Sequence, residues 1–311
     1  GITSIYDTDS GGDGYVPFVI PETDKVMIFY HKVSGSNPGI NCFHISSGLK
    51  CAGYPKNLDA SSGYPGNYTH SYHQNQVNYN GKIYITGQNL DDKTWGIDCW
   101  DSNTDSFCGY FQMSNNWNST VKLNQAEDKL YFIADNKLQC FDVSTNLICT
   151  SPWQNIAVPG QANETYQSEI YGNFLISASQ GSGVSNLLCF DLSSLPAQSC
   201  QGYPKTSNIP INIPIPYQSA AGNTIGFCSY LQCFDFAGNA LPIPSFISNS
   251  LPYNMEVTAL DSKVYVSDNS KSTAWCWDFA IDNFCANFMD SDMIPGKRAW
   301  NKLNQDSNYG M

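Results

Sequence analysis

The stretch QCFDVSTNLIC, Gln139–Cys149, decides the fold because variants of it recur along the chain. These variants are NCFHISSGLKC from Asn41, DCWDSNTDSFC from Asp98, LCFDLSSLPAQSC from Leu188, QCFDFAGNALPIPSF from Gln232 and WCWDFAIDNFC from Trp275. They share a cysteine, an aromatic residue and an aspartate, with His44 replacing the aspartate in the first copy. The leading cysteines lie 57, 41, 49, 44 and 43 residues apart. A period of roughly 40–50 residues is typical of β-propeller blades.

A second repeated element lies upstream of each cysteine. It reads KVMIFYH from Lys25, KIYITGQ from Lys82, KLYFIAD from Lys129, NFLISAS from Asn173, TIGFCSY from Thr224 and KVYVSDN from Lys263. These runs are rich in β-branched and aromatic residues and are bounded by turn-forming residues, so we predict strands. Weaker strand patterns such as QVNYN and EVTAL come before them, and helical periodicity is absent.

The repeats predict an all-β fold, a six-bladed β-propeller of four-stranded antiparallel blades that occupies residues 1–311 as a single domain. The blades are centred on the cysteine hairpins at 42–51, 99–108, 140–149, 189–200, 228–233 and 276–285. At the C-terminal end, the segment from Arg298 to Asn304 resembles the first strand of another unit and lacks a cysteine hairpin. Either it closes the ring or the natural chain continues further.

The twelve cysteines predict one disulfide within each repeat. Five of them should join the first cysteine of a hairpin to the second, and these pairs are Cys42–Cys51, Cys99–Cys108, Cys140–Cys149, Cys189–Cys200 and Cys276–Cys285. The fifth repeat lacks the second cysteine and has Cys228 upstream instead, so its bridge should run from Cys233 back to Cys228. No C-x₂-C pair, as a zinc site would use, is present.

The aspartate that follows each cysteine and aromatic residue is expected to be structural. It stands after a strand and before small or polar residues, where its carboxylate can accept backbone hydrogen bonds in a turn. The positions concerned are Asp101, Asp142, Asp191, Asp235 and Asp278.

This repeat resembles the extracellular disulfide-containing propeller repeats of the broad YVTN/NHL/quinoprotein-like grouping, over roughly residues 15 to 290. The resemblance lies in the order of the repeated elements and in no catalytic motif. Six-bladed members of such groups include lectins, receptor modules and a minority of enzymes. The function therefore stays open at this point.

Composition indicates a secreted, extracellular glycoprotein. Charged residues make up 14% of the chain, the formal net charge is −12 and Arg298 is the single arginine, so nucleic acid is not an expected partner. No apolar run is long enough to predict membrane insertion. The chain begins with Gly1 rather than Met, as after removal of a signal peptide or at an expression boundary. Three sequons, at Asn67, Asn118 and Asn163, predict N-glycosylation.

Two further patterns could bind ligands, and each has a structural alternative. Asp7, Asp9 and Asp13 alternate along a glycine-rich stretch, where carboxylates could converge on calcium or could line a solvated turn. Trp117 and Trp153 lie in polar linkers between repeats, where an indole could stack on a sugar ring or anchor the linker on the neighbouring blade.

The sequence contains no recognisable catalytic constellation, so we expect a non-catalytic binding or scaffold module. Its partner would be an extracellular glycan or protein, or another copy of the chain, in adhesion, matrix or filament assembly, or glycan recognition. The alternative is an extracellular propeller enzyme, with calcium as a possible cofactor, acting on a polysaccharide or small ester.

Overall fold

A computed structural model describes residues 16–30, 39–58, 68–70, 76–89, 91–114, 122–124, 127–150, 153, 155–158, 165–180, 185–194, 196–207, 214–229, 232–246, 255–268 and 273–285. Within these ranges the chain forms strands and turns, with one 3-10 turn at Pro21–Thr23 and no α-helix. The strands form six antiparallel sheets in chain order, which we number sheet 1 to sheet 6.

Each of the first three sheets contains one repeat. Sheet 1 contains β1 (Val16–Ile20), β2 (Lys25–Tyr30), β3 (Gly39–His44) and β4 (Lys56–Asn57). Sheet 2 contains β5 (Tyr68–His70), β6 (Gln76–Tyr79), β7 (Lys82–Asn89), β8 (Trp95–Asp101) and β9 (Ser106–Ser114). Sheet 3 contains β10 (Lys122–Asn124), β11 (Lys129–Ala134), β12 (Lys137–Asp142), β13 (Leu147–Ile148) and β14 (Ile156–Ala157).

The last three sheets repeat the pattern. Sheet 4 contains β15 (Thr165–Tyr171), β16 (Phe174–Gln180), β17 (Ser185–Asp191), β18 (Gln198–Ser199) and β19 (Lys205–Ser207). Sheet 5 contains β20 (Ile215–Gln218), β21 (Thr224–Ser229), β22 (Gln232–Asp235) and β23 (Ala240–Leu241). Sheet 6 contains β24 (Met255–Leu260), β25 (Lys263–Asp268), β26 (Thr273–Asp278) and β27 (Asn283–Phe284).

In every sheet four strands follow one another in sequence, and each pairs antiparallel with the next. The predicted all-β fold of four-stranded antiparallel units is therefore confirmed. The second strands are the six predicted from the upstream elements, and the third strands carry the leading cysteines. Consecutive four-stranded sheets of this kind are the blades of a β-propeller.

Sheets 2, 3 and 4 depart from the simple four-strand pattern. In sheet 2 both β5 and β6 pair with β7, so two short strands share the first position. In sheets 3 and 4 the fourth position is also divided, because β14 pairs with β12 and β19 pairs with β17 beyond the short strands β13 and β18. The sequence between these pieces contains proline, which cannot donate a ladder hydrogen bond, so the outer strand is interrupted there.

The hydrophobic core lies between sheets, and five clusters of buried side chains each join one sheet to the next. We call the interface between two consecutive sheets a joint, and all five joints share one arrangement. The cystine of the earlier sheet meets the aromatic residue that follows the leading cysteine of the later sheet. The pairs are Cys42 with Trp100, Cys99 with Phe141, Cys140 with Phe190, Cys189 with Phe234 and Cys233 with Trp277. Adjacent residues of a strand point to opposite faces, so one Cys-aromatic dipeptide serves both joints of its sheet.

Antiparallel order gives the sheets two different ends. Connections from first to second and from third to fourth strands lie at one end, which we call the turn end; most are short, as at 80–81, 143–146, 172–173 and 279–282. Connections from second to third strands and from each sheet to the next lie at the other end, which we call the loop end. The connections to the next sheet are longer, at 58–67, 115–121, 158–164, 208–214 and 242–254.

Candidate functional site

The recurring aspartates stabilise the turn end. Each accepts a hydrogen bond from the backbone N–H two residues later, at 2.8–2.9 Å. The residues are Asp101, Asp142, Asp191, Asp235 and Asp278, as predicted. For Asp235 and Asp142, burial would raise the pKa of the carboxyl, but the turn hydrogen bonds outweigh it and hold this pKa below its usual value.

Sheet 1 has His44 at this position and obtains its carboxylate from another turn. Asp24, which follows the 3-10 turn, accepts hydrogen bonds from the Ser46 backbone N–H at 2.8 Å and from the Ser46 hydroxyl at 2.6 Å. These bonds lower the pKa of Asp24, and His44 lies 3.6 Å from the same carboxylate. The anchor of the turn is therefore retained although the repeat lacks its own aspartate.

Six disulfides link the predicted cysteine pairs, and each lies within one sheet. In sheet 2 the bridge connects β8 with β9, whereas in sheets 3, 4 and 6 the second cysteine comes directly after the short fourth strand. In sheet 5, Cys228 and Cys233 stand directly opposite each other on β21 and β22. All described cysteines are bridged. So many disulfides indicate an oxidising environment.

Most of the other predicted site residues lie outside the described residues. This holds for the acidic stretch of Asp7, Asp9 and Asp13, for the sequons at Asn67, Asn118 and Asn163, and for Trp117. In chain order the three sequons fall in connections between one sheet and the next, ahead of β5, β10 and β15. Within the described ranges, no three His, Cys, Asp or Glu side chains are grouped closely enough to hold a metal ion.

Trp153 is a linker anchor. Its side chain is only 6% exposed, its ring lies 5.5 Å from that of Tyr131, and it belongs to the cluster that joins sheets 3 and 4. The indole N–H donates to Asn155 Oδ1 at 2.9 Å. Of the two roles open to Trp153 from sequence, the structure shows the anchor, and the proposed sugar-stacking role is wrong because the ring is covered by protein.

Sequence reasoning missed two polar clamps between neighbouring sheets. The first joins sheet 1 to the β8–β9 turn of sheet 2 through Asp105. The Asp105 carboxylate accepts hydrogen bonds from Lys25 Nζ at 2.7 Å and from the Tyr54 hydroxyl at 2.8 Å. Lys56 Nζ donates to the Asp105 carbonyl oxygen and lies 5.2 Å from the centroids of the Tyr54 and Trp100 rings.

These contacts set the ionisation of the first clamp. Burial alone would raise the pKa of Asp105, but the hydrogen bonds from Lys25 and Tyr54 and the lysine charges hold it below its usual value. Burial, together with the bond to Asp105, raises the pKa of Tyr54 well above its usual value. Asp105 is therefore a carboxylate and Tyr54 a neutral phenol at neutral pH.

The second clamp joins sheet 4 to sheet 5. The Tyr203 hydroxyl donates to the Asp235 carbonyl oxygen at 2.9 Å, and Lys205 Nζ lies 5.3 Å from the centroid of the Phe234 ring. Both clamps come from one hexapeptide pattern, CAGYPK at 51–56 and CQGYPK at 200–205. This repetition is the signal that could have identified them from sequence.

Asp105→Asn is expected to reduce the free energy of unfolding at pH 7 by about 2 kcal/mol, since it removes the charge that two buried or half-buried donors contact. Asparagines adopt a left-handed φ of 52–56° elsewhere in this chain, so the backbone at Asp105 (φ 51°) should be unchanged. The folded pKa of Asp105 is depressed, so its contribution is present above the unfolded pKa and is lost as pH falls through the folded value. Urea unfolding between pH 3 and 7 measures this.

Asp282→Asn is the matched control. Asp282 occupies the same position of the β26–β27 turn with a φ of 48°, and no lysine bonds to its side chain within the described residues. It should change stability by less than about 0.5 kcal/mol. A difference in stability between Asp105→Asn and the parent protein that does not shrink between pH 7 and pH 3 would contradict the electrostatic account of the clamp.

The described residues include no helix long and apolar enough to cross a membrane.

Comparison with known proteins adds a likeness in fold. No family model and no curated protein matches the chain. A functionally unknown protein from Desulfotomaculum acetoxidans DSM 771 aligns over 89% of this chain and 85% of its own, with a TM-score of 0.56 and 8% identity. The β-propeller domain of the Trilobed protease from Pyrococcus furiosus, with an open velcro topology, aligns over 85% and 82%, with a TM-score of 0.49 and 10% identity. Hsv2 of Kluyveromyces lactis aligns over 92% and 79%, with a TM-score of 0.43 and 10% identity. At such identities only the fold, which the chain's own six sheets identify as a β-propeller, is shared.

Proposed function

We propose that this protein is a secreted glycoprotein whose six sheets close into a six-bladed ring and which acts as a non-catalytic binding or scaffold module. Its loop end binds an extracellular glycan or protein in adhesion, matrix or filament assembly, or glycan recognition. The contrast between the two ends of the sheets carries this proposal.

The turn end has the features of a rigid surface. Most of its connections are short and are anchored by aspartates, and the disulfides and polar clamps add links around it. The loop end has connections that differ in length from sheet to sheet, from 135–136 to 242–254. Variable connections on a rigid scaffold are the usual place for binding residues, because they can change without loss of the core.

Ring closure is supported by buried side chains on one face of sheet 6 and one face of sheet 1, the two faces that take part in none of the five joints. Cys276 is 1% exposed although it belongs to none of the five shared clusters. Ile28 is 5% exposed on the face of sheet 1 opposite to Met27, which packs toward sheet 2. Contact between sheet 6 and sheet 1 would cover both faces and would remove the last open joint. A closed, compact chain of this length should have a radius of gyration of about 19–20 Å by small-angle X-ray scattering, and an open arc should exceed it.

Secretion and glycosylation fit the same arrangement. Six disulfides persist in an oxidising compartment. The sequons at Asn67, Asn118 and Asn163 fall in successive connections at the loop end, so glycans there would leave the turn end bare. Expression in a eukaryotic secretory host, followed by peptide mapping with and without glycosidase, shows whether each asparagine is modified.

The binding test uses an immobilised array of animal, plant and microbial oligosaccharides together with purified matrix proteins. We expect binding that falls at least tenfold when alanines replace exposed residues of the loop end, such as Asp91 and Lys93 between β7 and β8. The matched change at the turn end of the same sheet, at Asn103 and Thr104, should have no effect. Equal sensitivity at both ends, or release of cleaved products from the array, would overturn the proposal.

A further inference from the structure

The outer edge of sheet 2 differs from the outer edges of the other sheets. Its fourth strand, β9, has nine residues, whereas β4, β13, β18, β23 and β27 have two each. Within the described part of the chain β9 pairs with β8 alone. Short outer strands are one of the ways in which proteins avoid pairing edge to edge, and sheet 2 does not use it.

The sequence of β9 also lacks the charged residues and prolines that protect other edge strands. It reads SFCGYFQMS and contains neither a charged residue nor a proline. The chain has a net charge of −12, so two copies repel each other at most surfaces. Because β9 carries no charged side chain, a second copy can approach this edge without bringing like charges together. Bulges at Cys99/Trp100 and at Trp95/Gly96 shift the register at both ends of the strand. The regular part of the edge is therefore Gly109–Gln112, which pairs with Gly96–Cys99.

Neighbouring sheet 3 has an apolar surface beside this edge. The Phe111 ring of β9 packs 4.9 Å from the Phe141 ring of β12. Phe141 stands opposite Ile148 of β13, and cross-strand partners point to the same face of a sheet. Ile148 therefore also faces sheet 2, from the outer strand β13 of sheet 3, and its side chain is 41% exposed. An additional strand on β9 would place its side chains against Ile148.

We infer that β9 is a self-association edge, at which a second copy of this chain pairs through its own β9 about a two-fold axis. Antiparallel strands are self-complementary under such an axis, so the same surface serves on both copies. The second copy would supply Phe111 or Met113 from its own edge, apolar side chains of the kind that can cover Ile148. This association uses the outer rim of sheet 2 and leaves the loop end free, so it goes beyond the binding function proposed above.

The test measures the oligomeric state of the full chain by sedimentation over a range of protein concentrations. We expect a reversible dimer whose dissociation constant rises at least tenfold in Gln112→Lys, because the exposed Gln112 side chain lies on the regular part of the edge and two lysines would meet near the axis. Ile148→Lys should weaken the dimer similarly. Gln198→Lys, the same change on the exposed short strand β18, should leave it unchanged.

Two measurements keep the result interpretable. The thermal midpoint of each variant, measured at a concentration where the protein is monomeric, shows that the fold is intact. Amide hydrogen exchange of residues 109–113 should slow on dimerisation and should not slow in Gln112→Lys. A parent protein that stays monomeric up to about 1 mM, a range that covers weak association, would overturn the inference. A dimer that Gln112→Lys leaves unaltered would overturn it as well.

Discussion

Replacing Phe141 by alanine is expected to lower the free energy of unfolding by about 4 kcal/mol. The side chain is fully buried between sheets 2 and 3, where its ring lies 4.9 Å from that of Phe111 and 6.1 Å from that of Tyr84. Truncation removes these contacts and leaves a cavity that the paired strands on both sides cannot fill. Urea unfolding, followed by tryptophan fluorescence, measures the loss.

Leu49→Ala is the control for this experiment. Leu49 lies in the corresponding hairpin of sheet 1, where its side chain is 68% exposed, so its truncation should cost less than about 0.5 kcal/mol. If Phe141→Ala cost no more than Leu49→Ala, the joint between sheets 2 and 3 would not be packed as described.

Removal of the sheet 4 disulfide is expected to cost about 3 kcal/mol, and removal of the sheet 5 disulfide about 2 kcal/mol. Cys189 and Cys200 are separated by 11 residues, whereas Cys228 and Cys233 are separated by 5. A bridge that closes a longer loop restricts the unfolded chain more, so its loss should cost more. The experiment compares the two double-alanine variants with the parent protein by thermal and urea unfolding.

Alanine is preferred to serine in these variants because a hydroxyl group at the buried positions would lack a hydrogen-bond partner. All four cysteines are buried, so the two variants create similar cavities and their difference reports on loop length. Peptide mapping must show that the other five bridges are intact in both. A larger loss for the sheet 5 pair would contradict the loop-length account.

The local parts of the fold could be predicted from sequence. The strand with the leading cysteine, its disulfide and the aspartate of its turn all lie within about a dozen residues, and each copy repeats the same chemistry. Six copies made the pattern visible even where one copy differed, as with Cys228. The departure at His44 is explained by Asp24, which lies on another turn and is brought close only by the pairing of β2 with β3.

The contacts between sheets could not be predicted in the same way. Tyr54 and Asp105 are 51 residues apart in the chain, and no rule of spacing relates them. Likewise the polar linker around Trp153 left both an exposed ring and a linker anchor open, and the indole is buried beside Tyr131 in the cluster that joins sheets 3 and 4. Side chains of this kind are fixed by the assembled sheets and not by their neighbours in the chain.

Because each sheet has a cystine face and an aromatic face, the two sides of every described joint are chemically different. At each of the five described joints the earlier sheet contributes its cystine face and the later sheet its aromatic face. The cystine–aromatic contacts of the five joints are therefore of one type, and the polar clamps are additional contacts at the joints of sheets 1 and 2 and of sheets 4 and 5. Duplication or deletion of one whole repeat during evolution would still place a cystine face against an aromatic face at each joint. A lineage of such chains could thus change its number of repeats in single genetic steps, each of which preserves the core.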